Sequence, residues 1–204
     1  MSRSPFKAMK ACKCYNKGIF RSKRRKSVTT DRERLKSLLK EKAVKVGEFK
    51  LSSGGTSNFY VDGKQITCHP EGATLMAKII LEKIKGLKAE YIGGMTIGAD
   101  PMSAAVTVMS QAAGTPIPSF IIRKQQKEHG LKKEIEGIVA PNSNVVVVDD
   151  VITKGTATLG AIAAVEKIGC KVVKVICLVD RQEGGAEALE GYDFDPIFKK
   201  EELI

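Results

Sequence analysis

Four consecutive valines, Val145 to Val148, lead directly into two aspartates, Asp149 and Asp150. A strand with one solvated face alternates apolar and polar side chains, whereas an unbroken run of β-branched residues belongs in a sheet covered on both faces. Open sheets of that kind carry their ligand crevice beyond the carboxyl ends of the strands. The two carboxylates therefore fall at the edge of a crevice, and the chain has to be of the α/β class.

The rest of the chain agrees with this class. Apolar residues make up 43% of the sequence and aromatics only 5%, a balance suited to buried Val, Ile, Ala and Gly rather than to an aromatic-rich sandwich. A length of 204 residues accommodates one sizeable domain with an appendage. From Asp31 a helical pattern places Leu35, Leu38, Leu39 and Val44 on one face as far as Gly47, with Asp31 as its cap. Phe49 to Leu51 and Phe59 to Val61 flank the turn residues Ser52 to Ser57 and predict a hairpin. A helix follows from Pro70 to Lys85, and strand and helix then alternate: strands at 91–95, 117–122, 145–148 and 172–179, helices at 100–113 and 156–168. The polar stretch Arg123 to Glu134 reads as a long mobile loop.

The formal net charge is +11, but its distribution matters more than its size. Ten basic residues precede Asp31 with no acid among them; setting these ten aside from the 34 leaves 24 basic residues against 23 acids. The domain at 31–204 is thus nearly neutral, which argues against a nucleic-acid partner for it, and residues 1–30 read as a basic, disordered extension. That extension fits an organelle transit peptide, a nucleic-acid-touching arm or a mistaken upstream start. Five widely spaced cysteines without a CxxC pair point to a reducing compartment, and the expected location is cytoplasmic. No apolar run reaches the roughly 20 residues of a membrane helix.

Adjacent carboxylates repel and need cations or hydroxyl donors, and the 2′ and 3′ hydroxyls of a ribose suit them. The following residues, Thr153-Lys-Gly-Thr-Ala-Thr158, enter a helix whose first amides and hydroxyls can surround a phosphate, with Gly155 permitting close backbone approach. A Thr/Gly-rich helix cap would account for the loop alone; the Asp pair before it favours phosphate. The stretch contains neither a Walker A loop nor a G-x-G-x-x-G fingerprint.

Four hydrophobics, two acids and Thr-x-Gly-Thr resemble the phosphoribosyl pyrophosphate signature of type I phosphoribosyltransferases. Three further stretches resemble the orotate branch of that family: Arg123-Lys-Gln-Gln-Lys-Glu-His-Gly130 its mobile catalytic loop, Leu51 to Asp62 its amino-terminal hairpin, and Val179-Asp-Arg-Gln-Glu183 its strand-end motif. The resemblance implies a mainly parallel central sheet flanked by helices, with a small amino-terminal hood and a mobile loop. It implies transfer of a 5-phosphoribosyl group from phosphoribosyl pyrophosphate to orotate, in pyrimidine biosynthesis. Another base, or a phosphoribosyl pyrophosphate-sensing regulator, is the alternative.

Residue by residue, the resemblance assigns the ribose hydroxyls to Asp149 and Asp150. Val151, Ile152, Thr153, Lys154, Gly155, Thr156 and Ala157 complete the donor site, the last four holding the 5′-phosphate. Arg123, Lys124, Lys127 and His129 close on pyrophosphate, with Lys127 counted among the catalytic residues. Thr153 and Arg181 contact orotate, whose carboxylate an arginine can grip in a bidentate manner. Mg²⁺ is implied as a substrate-held ion with no direct protein ligand assigned, and the loop of one subunit reaches the site of its partner in a homodimer. Two lysines found in some relatives are replaced by Ser52 and Gly98, which removes two cations from the pyrophosphate side.

Overall fold

A computed structural model of the chain describes residues 29–50, 56–124 and 133–204. Helix α1, Asp31–Lys42, is capped by Thr30 rather than by Asp31: the Thr30 side chain accepts the Glu33 N–H while Glu33 accepts the Thr30 N–H at 2.7 Å. Asp31 instead stands in the first turn, where its charge complements the helix dipole. The helix stops at Lys42, five residues short of Gly47. Val44 already belongs to strand β1, Val44–Lys50, because a β-branched residue there pairs with Val61 of β2, Thr56–Val61. These two strands form the expected hairpin, and its turn at 51–55 lies outside the described residues.

A short helix α2, Lys64–Thr67, precedes α3, Pro70–Lys83, whose cap is His69. Neither α2 nor the edge strands mentioned below announces itself by periodicity, since each is too short to repeat a pattern. Strand β3 (Tyr91–Met95), helix α4 (Ala99–Ala112), strands β4 (Ser119–Ile122) and β5 (Ile135–Gly137), and strand β6 (Asn144–Ile152) follow. Helix α5 (Thr156–Glu166), strand β7 (Lys171–Asp180), helix α6 (Gly185–Ala188) and strand β8 (Phe198–Lys199) complete the order. The six-stranded sheet runs β5-β4-β3-β6-β7-β8 and is parallel except for β5, which lies antiparallel on β4.

The valine run occupies the middle of this sheet and serves both faces. Val146 and Val148 pack with Leu35, Met76, Ile92, Met102 and Leu178 on one side; Val145 and Val147 pack with Phe120, Ala161, Ile162, Val165 and Cys177 on the other. All four valines are fully buried, each contributing roughly 1.5–3 kcal/mol of transfer free energy. One charged residue on β7, Lys174, is buried and pairs with Asp193 at 2.7 Å and Asp195 at 3.5 Å. No helix among the described residues is long and apolar enough to cross a membrane.

The sheet is drawn tight at β3 by two glycines. A Cβ added at Gly94 would lie 2.1 Å from the Val148 carbonyl oxygen and 2.8 Å from the Ala99 Cβ, so backbone would have to move. The closeness of β3 to β6 and α4 decides where the β3–α4 turn meets the end of β6. Gly94→Ala is expected to destabilise the chain by about 3 kcal/mol through overpacking, read as a lower urea midpoint at unchanged slope.

Candidate active site

Strand β6 extends beyond its valines through Asp149 and Asp150 to Ile152, so both carboxylates belong to the strand and not to the loop after it. Both are buried, with 8% and 7% of their surface exposed, a demanding place for two neighbouring acids. Their hydrogen bonds differ. Asp149 accepts the Asp150 N–H at 3.0 Å and the Thr158 hydroxyl of α5 at 3.1 Å. Asp150 accepts the Val151 N–H at 3.0 Å and the Lys64 ammonium at 3.2 Å. Burial, and then the Asp150 charge, raise the Asp149 carboxyl from 3.8 to about 6, against the opposing pull of Thr158 and the Asp150 N–H.

Two glycines enclose the pair. A Cβ at Gly98 would stand 2.5 Å from an Asp150 oxygen and 2.7 Å from an Asp149 oxygen; one at Gly63 would stand 2.9 Å from the Asp150 Cβ. The β3–α4 turn and the start of α2 can close on the carboxylates because neither carries a side chain at the contact. Gly98, singled out for the lysine it lacks, also lies directly against both carboxylates, which would have to shift to admit a Cβ there.

Beyond the acids, residues 153–155 turn the chain into α5. Gly155, the cap of α5, takes a left-handed conformation, φ 76°, which glycine adopts without strain, and the helix start beyond it leaves its first amides without a side-chain cap. Lys154, Thr156 and Ala157 are exposed on this rim. Strand β7 runs parallel to β6 with Ile152 opposite Asp180, so the residue after β7, Arg181, arrives beside the loop; its N–H donates to the Ile152 carbonyl at 2.9 Å. The Arg181 side chain is largely buried and donates to Glu183 at 2.9 Å and to the Phe59 carbonyl of the hairpin at 3.4 Å. The hairpin, the donor loop and the end of β7 thereby converge on one crevice.

Arg123 and Lys124 follow β4 on the same carboxyl-end side of the sheet, and Arg123 donates to Glu136 of β5 at 2.9 Å. Lys127 and His129 lie outside the described residues, as does Ser52. The crevice also includes a residue that no motif had marked, Lys64. It sits one residue after Gly63, and no periodicity or charge run distinguishes it from other surface lysines.

A family model described as "Phosphoribosyl transferase domain" matches residues 65–195. The orotate phosphoribosyltransferase of Aquifex aeolicus is 42% identical over 179 residues, covering 85% of this chain and 98% of that protein. The enzyme of that name from Nostoc is 43% identical, covering 84% of each chain. Mycobacterium tuberculosis orotate phosphoribosyltransferase, solved in complex with 5-phospho-α-D-ribosyl 1-diphosphate, superposes with a TM-score of 0.72 at 33% identity, covering 85% of this chain and 99% of that one.

The unusual state of Asp149 has a measurable consequence. A carboxyl whose value is higher in the fold than in the unfolded chain contributes stability below about pH 3.8 that is lost as the pH rises through about 6. Asp149→Asn is therefore expected to match the parent's unfolding free energy near pH 4 and to exceed it by about 3 kcal/mol above pH 7. Urea titrations at the two pH values check this. The glycine-enclosed acid pair, the left-handed turn into α5 and the arginine after β7 agree with the relatives in one conclusion: this chain belongs to the phosphoribosyl transferase family, in its orotate phosphoribosyltransferase branch.

Proposed function

We propose that this chain transfers the 5-phosphoribosyl group from phosphoribosyl pyrophosphate to a ring nitrogen of orotate, releasing pyrophosphate and forming orotidine 5′-phosphate. The observation that carries this reading is the convergence of Asp149-Asp150, the amino-terminal turn of α5 and Arg181 in one crevice. Ribose hydroxyls donate to Asp149 and Asp150. Lys154, Gly155, Thr156 and Ala157 receive the 5′-phosphate on the amides at the start of α5, where the helix dipole favours an anion. Val151, Ile152 and Thr153 line the ribose between the two.

Arg181 reads the orotate carboxylate. Glu183, 2.9 Å from the guanidinium, holds it in place at the end of β7. Thr153 is close enough in the chain to share that role, because the Arg181 N–H is bonded to the Ile152 carbonyl at 2.9 Å. The transition state develops positive charge on the sugar as pyrophosphate leaves. Two carboxylates on the ribose side suit that charge, and Arg123, Lys124, Lys127 and His129 neutralise the departing anion.

Among the described residues no group of three or more His, Cys, Asp or Glu side chains is arranged to hold a metal ion. The two aspartates are nonetheless hard oxygen donors of the kind Mg²⁺ accepts, directly or through water. Mg²⁺ held largely by the oxygens of the donor substrate supplies charge neutralisation for pyrophosphate. The protein's own task is then to orient the ribose and the acceptor.

The loop basics reach the site of a neighbouring subunit in a homodimer. Lys127→Ala and Asp149→Asn chains, each inactive alone, are expected to recover up to about a quarter of parental activity when mixed, from the one intact site in each heterodimer. No recovery despite heterodimer formation overturns the shared site. The base assignment is tested by orotate consumption, followed spectrophotometrically with phosphoribosyl pyrophosphate and Mg²⁺. Arg181→Ala is expected to lower kcat/KM for orotate by about two orders of magnitude, as for a lost charge-assisted pair. Retained turnover of orotate in that variant speaks against the carboxylate reader.

A further inference from the structure

The Asp62-Gly63-Lys64 segment makes a chain of charges that ends on the acid pair. Asp62 is anchored first: it accepts the Lys64 N–H at 3.2 Å through one oxygen and the Gln65 side-chain amide at 3.2 Å through the other. Its carboxyl is lowered overall, burial being outweighed by the bonds from Gln65 and Lys64. Lys64 then bridges two carboxylates, reaching Asp62 at 3.3 Å and Asp150 at 3.2 Å. Partial burial works against its charge, but Asp150 and then Asp62 outweigh that, and the ammonium is held above its usual value.

Both Asp150 oxygens are thereby assigned. One is held by the Val151 N–H and the other by Lys64, while Gly63 packs directly on Asp150, a Cβ there standing 2.9 Å from the Asp150 Cβ. Asp149 has a hydroxyl, Thr158, where Asp150 has a cation. On the other side of the pair this chain has Gly98, which brings no side chain and so no cation. A ligand bearing several phosphate charges would approach two carboxylates with little to offset their repulsion if Lys64 were absent.

We infer that Lys64, held by Asp62, is a positioning residue for phosphoribosyl transfer: it fixes the Asp150 carboxylate toward the ribose and offsets its charge against the incoming diphosphate. The inference rests on the reading of this crevice as the phosphoribosyl pyrophosphate site, and it adds to the donor site a segment that precedes the six-stranded sheet in the chain.

The test uses the full chain with Lys64→Met, which keeps the stem and removes the ammonium, and Lys64→Arg, which restores the charge. Two readouts are taken: initial rates over both substrates, and calorimetric binding of phosphoribosyl pyrophosphate with Mg²⁺, which needs no turnover. Lys64→Met is expected to raise both KM and Kd for phosphoribosyl pyrophosphate roughly tenfold, with the orotate KM changed by less than about twofold. Lys64→Arg is expected to recover most of the loss. A Kd equal to the parent's, an equal rise in both KM values with a lowered melting temperature, or no rescue by arginine overturns the assignment. If the parent binds phosphoribosyl pyrophosphate without consuming orotate and Lys64→Met weakens that binding, the assignment stands and the orotate reading falls. A parent that binds no phosphoribosyl pyrophosphate removes both.

Discussion

Two carboxylates buried side by side at the end of a strand are costly, and much of this structure is arranged around making that tolerable. Burying an ionised group without partners would cost several kcal/mol, so each acid must be bonded or neutralised. The chain solves the two cases differently. Asp149 takes a hydroxyl and an amide and is displaced toward its neutral form, at about 6, while Asp150 takes an amide and an ammonium. The pair is therefore asymmetric before any ligand arrives. Both solutions depend on close approach: α5 brings Thr158 over Asp149, and α2 brings Lys64 over Asp150.

Close approach in turn depends on missing side chains. Gly94 lets β3 press on β6, Gly98 lets the following turn press on both acids, and Gly63 lets the start of α2 press on Asp150 from another direction. These contacts couple the packing of the sheet to the geometry of the site. A change that loosens β3 against β6 would move the turn at Gly98, and with it the walls around the carboxylates. Stability and activity share these positions, which is unlike a site mounted on loops above an indifferent core.

The fold class was legible in the valine run, because a strand buried on both faces leaves no polar alternation to hide it. The long helices and central strands followed from periodicity, and the donor loop from its acids, Gly155 and threonines. What escaped was short or tertiary in origin. Helix α1 ended early because Val44 found a strand partner in Val61, a contact seventeen residues away that no local pattern encodes. Thr30 displaced Asp31 as cap because a reciprocal bond with Glu33 satisfies two amides rather than one. Lys64 could not be singled out, since its meaning lies wholly in Asp150, 86 residues further along the chain.

The proposed function places donor and acceptor recognition on adjacent strands, and parallel pairing is what joins them. With Ile152 opposite Asp180, the segment leaving β6 and the segment leaving β7 emerge at the same height on neighbouring strands. The loop after β6 turns into α5, and the segment after β7 begins with Arg181, bonded to the Ile152 carbonyl. On the proposed function, the first segment meets groups that every phosphoribosyl donor shares, whereas the second meets what distinguishes one base from another. In this chain Glu183 and the Phe59 carbonyl hold Arg181 against the hairpin, so the arginine proposed to read the base is braced by an element outside the six-stranded sheet.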